Sequence, residues 1–347
     1  MAFRLTSAYF RPLECRTLAG HGGWFLVGND MRIGLDFGTT NSGAAVFDGQ
    51  HIRAFPLDPS SHDPAVMRST LYITREHQVH VGQEAIDVYY RENIGRPSRL
   101  LHQYVGEIEI TLSDVGSVKG YPVGPSTIVR DVYALVDELT PGRLIHSLKS
   151  ALASSYQGTT AFGRYYALEE LIAIYLREVR QRVEAETGQT VDGVVLGRPV
   201  HFGEGESEDE NRRAEQRLRQ AAEMAGLPRV TFELEPVAAA LHYELTASAP
   251  QNVVVFDFGG GTLDITVMRV GGPSQRRVYA TGGVGIAGEA FDRRIIEEVM
   301  LDHFGRGSTW GEDGAPFPSQ YTDALVHWQT IPELSRPETL RFIRQAQ

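Results

Sequence analysis

Cysteine and lysine are the residues this chain most conspicuously does without. Cys15 is the only cysteine among 347 residues. That excludes an intrachain disulfide and a cysteine-built metal cluster, and makes a reducing, cytoplasmic setting the economical expectation. Lysine occurs only at Lys119 and Lys149, with arginine supplying the rest of the 33 basic side chains. A mechanism that needs a lysine on a phosphate therefore has two candidates. No apolar run reaches the roughly 18 residues of a membrane span, so no membrane partner is expected. The 44 acidic side chains leave a formal charge of −11, which argues against nucleic-acid binding because phosphate contacts need a basic surface. No G-x-S-x-G turn supports a Ser-His-Asp constellation. His51, His62, His77 and His80 share one region, but no pair has helical ligand spacing with a carboxylate.

What is present is ordinary globular composition, 42% hydrophobic and 22% charged, at a length that allows about two domains. Residues 1–30 show no sustained periodicity, and Arg11, Pro12 and Glu14 interrupt any signal-peptide core, so they read as an upstream extension outside the fold. From Met31 the pattern sharpens. Arg32–Phe37 and Gly43–Phe47 are strands around a polar turn, with further strands at His51–Leu57 and Ser69–Thr74 and a helix near Gln83–Glu92. The stretch Ile94–Gly142 is broken by Gly and Pro and yields no assignment. Tyr165–Thr187 is the clearest helix, ended by Gly188. Then come a strand at Gly193–Leu196, an acidic loop at Glu204–Glu210 read as a solvated face, a helix through Glu223, and a strand at Val230–Leu234. A helix follows from Pro236, and Ala247–Gln251 reads as a hinge. The strands Asn252–Phe258, Ile265–Val270 and Val278–Gly282 precede a helix over Gly288–Phe304. Strands alternating with helices predict an α/β class.

One motif occurs twice. Ile33–Ser42 reads I-G-L-D-F-G-T-T-N-S and Val255–Asp264 reads V-F-D-F-G-G-G-T-L-D. Each is an apolar strand ending in Asp-Phe-Gly, a turn of small residues carrying threonine, and a return strand. Glycines let successive backbone N–H groups converge on an anion, and threonine hydroxyls add hydrogen bonds. An aspartate at the strand end can hold hydrated magnesium against phosphates. Two such hairpins facing each other would clamp a polyphosphate.

The pair resembles the phosphate loops of the actin-like ATPase superfamily, and in detail those of the DnaK-type, seventy-kilodalton heat-shock chaperones. Glu235–Leu241 (E-P-V-A-A-A-L) resembles that family's connecting helix, and Gly285–Asp292 (G-I-A-G-E-A-F-D) its third Gly-rich segment. Val194–Phe202, around Pro199, resembles its strand-and-proline hinge. The tail Ser308–Gln347 looks most like the YegD-like bacterial branch.

The resemblance implies a two-lobed actin-like (ribonuclease H-like) fold. Residues 31–247 would form lobe I with an inserted subdomain, and 252–347 a partial, incomplete lobe II. It implies ATP/ADP and Mg2+ as ligands and ATP hydrolysis in a chaperone with unfolded polypeptide clients and co-chaperones. Asp36 and Asp257 would hold magnesium through water. Gly38, Thr39, Thr40, Asn41, Gly259, Gly260, Gly261, Thr262, Gly288 and Glu289 would bind nucleotide. Glu235 would orient the attacking water, and Asp264 would accept a proton or a hydrogen bond.

Departures accompany the match. The family lysine expected after its Gly-x-Ala-Ala stretch falls on Ile86; Lys149, in R-L-I-H-S-L-K-S, is a substitute from another loop or, as the favoured reading, a solvated helix-end residue. The family's late adenosine-pocket glycines and its β-sandwich have no counterpart. A nucleotide-binding scaffold with little turnover and a small-molecule kinase of the same fold are the alternatives, with a filament-forming relative a further one. Strand Asn252–Phe258 would stand exposed without covering helices, so poor solubility is expected.

Overall fold

The computed structural model describes residues 11–12, 30–48, 51–94, 96–97, 99–112, 117–118, 121–122, 126–203, 208–326, 331, 334 and 337–346. Cys15, Lys119, Trp328 and residues 204–207 of the acidic loop lie outside these, as does most of the stretch 1–30. Chain contacts gather into two units: residues up to Glu92 with Gly142–Ile295, and Asn93–Pro141 with Ile296–Gln347.

The first unit opens on strand β1 (Asp30–Phe37), whose alternate residues Met31, Ile33, Leu35 and Phe37 are buried. A turn at Gly38–Thr40 leads into β2 (Asn41–Phe47), then β3 (Ile52–Ala54). β4 (Thr70–Thr74) and β5 (Val79–Val81) precede helix α1 (Gln83–Asn93), and β6 (Gly142–His146) pairs antiparallel with β4. Helix α2 (Leu168–Thr187) turns Leu168, Leu171, Ile172, Tyr175, Leu176, Val179 and Val183 to the core. Gly188 ends it in a left-handed conformation that glycine adopts without strain. The helix starts at Leu168 and not Tyr165, because Arg164–Ala167 pairs with Gly158–Ala161 in a hairpin.

Strand β7 (Thr190–Arg198), helix α3 (Glu208–Met224), strand β8 (Arg229–Leu234) and helix α4 (Glu235–Glu244) come next. Glu208, Asp209 and Glu210, read from sequence as loop, form the first turn of α3, where carboxylates complement the helix dipole. The strand order is β8-β7-β1-β2-β3; β7 runs parallel to both neighbours, and β1 to β3 form an antiparallel meander.

A second sheet repeats the meander with β9 (Gln251–Phe258), β10 (Leu263–Val270) and β11 (Arg277–Val284), all antiparallel. Arg11 and Pro12 run antiparallel along β11, opposite Thr281 and Ala280. Helix α4 packs on this sheet through Val237 and Ala240, against Met268 and Val270. Helix α5 (Gly288–Ile295) is shorter than the sequence suggests, since the chain continues through a π-turn at Ile296–Met300 and a 3₁₀ turn at Leu301–Phe304. Parallel and antiparallel strands interleaved with helices are the α/β class expected, and match an actin-like ATPase architecture.

In the other unit, the stretch without a sequence assignment forms a long hairpin, Leu100–Leu112 against Ser126–Asp137, with a register shift between Val132 and Tyr133. Trp310 packs edge-on against Phe342 at 4.5 Å between ring centroids, with Tyr321 stacked on the same ring at 4.6 Å.

Candidate functional site

The two Asp-Phe-Gly turns meet. A methyl group on Gly260 would come within 2.6 Å of Thr40 Oγ1, and one on Gly261 within 3.1 Å of Thr39 Oγ1 and 3.4 Å of Ser150 Oγ. At Gly260 a side chain would force Thr40 to move, while at Gly261 it would press on the Thr39 hydroxyl, so the close approach favours glycine most strongly at Gly260. Gly38 likewise leaves no room for a side chain, which would run into the Asn41 carbonyl. The first turn is fixed from behind: Ser69 Oγ donates to Gly38 O at 2.8 Å and Ser69 N–H to Thr40 O at 2.9 Å. The second is closed by Gly259 N–H to Thr262 O at 2.9 Å. The third Gly-rich segment docks on it through Gly288 N–H to Gly259 O at 3.1 Å and Glu289 N–H to Gly260 O at 2.9 Å.

Four carboxylates gather behind the turns. Asp257 stands directly opposite Asp264 in the β9–β10 ladder, a like-charged pair that costs stability. Asp264 is 1% exposed, and its Oδ1 accepts the Val200 N–H at 3.0 Å. Burial pushes its carboxyl up to about 6, against the pull of that N–H and a Thr262 hydrogen bond, with Asp257 adding to the rise. Asp36 keeps accessible area yet is surrounded by enough protein to lose hydration, which raises its carboxyl; Lys149 opposes the rise and Asp257 adds to it. Glu235, the first residue of α4, packs over Gly197, where a methyl would lie 3.0 Å from its Cγ. Desolvation pushes Glu235 up to about 7, partly offset by Lys149 and reinforced by Asp36 and Asp264.

Lys149 corrects the sequence reading. It is buried, not solvated: its Nζ sits 2.5 Å from Glu235 Oε1, with the two side chains 8% and 15% exposed. The 3₁₀ turn Leu148–Ala151 carries it inward, entered through Ser147 in the left-handed region (φ 55°). Helix α3 clamps the residues after that turn, with Arg213 on Ala153 O at 2.6 Å and Arg217 on Tyr156 O at 2.8 Å. Arg217 in turn pairs with Glu169. Ile86, the position matched by sequence to the family lysine, lies on α1 and lines no part of the cleft.

A cleft of about 480 Å³ opens beside the turns. Of the expected residues, Thr39, Gly260, Gly261, Thr262 and Glu289 line it, together with Lys149, Pro199, Phe202 and Arg293. Asp36, Gly38, Thr40, Asp257, Gly259 and Gly288 do not line it, and Asn41 Oδ1 accepts a hydrogen bond from Arg68 at 3.2 Å. His77 and His80 are engaged by Tyr166 and Glu84. Among the described residues no three His, Cys, Asp or Glu side chains are arranged to hold a metal directly. No helix of the described residues is long and apolar enough to cross a membrane. The signal that could have found Lys149 was its rarity.

Residues 145–310 match the family model described as Hsp70 protein. That segment, which holds Lys149, Glu235, the whole second hairpin and α5, belongs to the Hsp70 family, as the motifs suggested.

Proposed function

We propose that this Hsp70-family chain binds ATP and ADP with magnesium in the cleft beside the two glycine turns and hydrolyses ATP, as the nucleotide-binding portion of a DnaK-type chaperone. The observation that carries the reading is Lys149, a buried cation among Asp36, Glu235 and Asp264 beside the two glycine turns. In a family of heat-shock chaperones, polypeptide clients and co-chaperones are the partners to look for.

The residues suit magnesium. Hard carboxylate oxygens under mutual repulsion favour a divalent cation. Asp36 and Asp257 would hold it through those waters. When bound, magnesium would offset charge on the phosphate oxygens.

The chain's own groups supply the rest. Backbone N–H groups of Gly260–Thr262 and the Thr39 hydroxyl would cradle phosphate. Lys149 Nζ would turn from Glu235 to the transferring phosphoryl group. Glu235 would accept a hydrogen bond from the attacking water and orient it. The water oxygen bonds to the γ-phosphorus while the bond to the β–γ bridging oxygen breaks. ADP leaves with that electron pair, and the water proton passes through Glu235 to phosphate.

Single-turnover hydrolysis tests this. Asp257→Asn and Lys149→Ala should each slow the chemical step by about 10²–10³, with MgATP binding measured separately by calorimetry. Hydrolysis by both variants at the parent rate would remove the reading. Binding without turnover in the parent would leave a nucleotide-binding scaffold.

A further inference from the structure

Glu289 lines the cleft, yet its carboxylate already has a partner. Ser147 Oγ donates to Glu289 Oε1 at 3.1 Å, and His146 Nδ1 lies 2.8 Å from the same Oγ. Because the Ser147 proton points to Glu289, His146 Nδ1 must be the donor to Oγ. Burial lowers the pKa of His146, so the relay is that of a neutral ring. Through its backbone N–H, Glu289 also holds Gly260 O at 2.9 Å. One residue thus joins the second glycine turn to the point where the chain turns into the Lys149 segment. That point, Ser147, has a left-handed backbone (φ 55°) that no glycine relieves, a conformation kept only where surroundings enforce it. The carboxylate's negative charge would also oppose a phosphate, which makes it a poor direct ligand.

We propose that Glu289 is a positioning residue, a latch whose carboxylate fixes Ser147 and thereby aims Lys149 at the cleft beside the second glycine turn. The aim at Lys149 rests on the nucleotide-binding reading above; the latch itself does not.

The test uses the full chain with Glu289→Ala, Ser147→Ala, the double variant and Glu289→Gln, which keeps an acceptor oxygen and drops the charge. Amide hydrogen exchange across residues 146–152 is measured without nucleotide. Loss of one hydrogen bond should speed exchange about three- to tenfold in each alanine variant. The double variant should match the singles, and Glu289→Gln should stay within about twofold of the parent. Calorimetric MgATP affinity should fall by a similar factor in the alanine variants, and the effect should vanish in a Lys149→Ala background. Additive exchange effects, or Glu289→Gln as damaging as Glu289→Ala, would overturn the latch. An unchanged exchange profile in all variants would overturn it as well. A parent that binds no MgATP would sink the nucleotide reading alone, with the exchange arm still deciding the latch. An affinity loss that persists without Lys149 would make Glu289 a direct ligand instead.

Discussion

The two sheets built on Asp-Phe-Gly hairpins share a local plan and live in different surroundings. In the first, β1 is flanked by β2 and by the parallel strand β7, and Ile33, Leu35 and Phe37 vanish beneath α2. In the second, β9 pairs only with β10 among the described residues, and α4 covers one face. On the other face Val254 is 67%, Phe256 62% and Phe258 42% exposed, while Phe258 stacks on Phe291 at 5.3 Å between centroids. Fully burying such a side chain is worth about 1.5–3 kcal/mol. The second sheet forgoes that gain, so the same motif is a structural keel in one place and a lightly supported wall in the other.

The sharpest way to break this contrast is a matched pair. Phe37→Ala should cost about 3–5 kcal/mol in chemical denaturation, whereas Phe256→Ala should stay within about 0.5 kcal/mol. Equal losses would show that β9 is covered in solution and that the asymmetry is false.

Next in size is an effect of charge. Glu235 and Asp264 titrate at about 7 and about 6 in the folded chain, against about 4 in unfolded carboxylates. A raised carboxyl binds its proton more tightly when folded. Its contribution is therefore complete below about pH 4 and is lost as pH rises through 6 to 7. Nucleotide-free protein should be less stable at pH 8 than at pH 5 by a share on the order of 1–3 kcal/mol, and Asp264→Asn should flatten its part of that slope. A slope unchanged in the variant would place the strain elsewhere than in the second hairpin.

The smallest effect is on the surface. Phe256→Ser with Phe258→Ser should reduce binding of a hydrophobic dye and slow aggregation while leaving melting nearly unchanged. A parent that is soluble, monodisperse and blind to the dye would contradict an exposed face.

The hairpins were legible because their turns are chemistry written in adjacent residues: Gly38 packs against the Asn41 backbone and Gly260 against the Thr40 hydroxyl. Helix α2 was legible through its period, and its start was misplaced only because Tyr165 and Tyr166 belong to a pairing that local periodicity does not encode. Lys149 was misread for a comparable reason. Its burial comes from Glu235, far along the chain, and from Arg213 and Arg217 holding the segment behind it. The resemblance, followed along the stretch G-Q-E-A-I, pointed to Ile86 instead. The exposure of β9 was expected from its unbroken apolar run, Val253 to Phe256, with few helices to cover it, but which face α4 would take was not.

Two of the site's carboxylates stand on naked α-carbons, Glu235 over Gly197 and Asp264 over Gly283, where an added methyl would collide with the carboxylate side chain. The floor of the cluster is main chain, with no padding. A single carbon at either glycine would act as a wedge, tilting a carboxylate out of register while leaving the number of charges and donors unchanged. Gly197→Ala and Gly283→Ala would therefore separate where the charges sit from how many there are, a distinction that replacing the acids themselves can never draw.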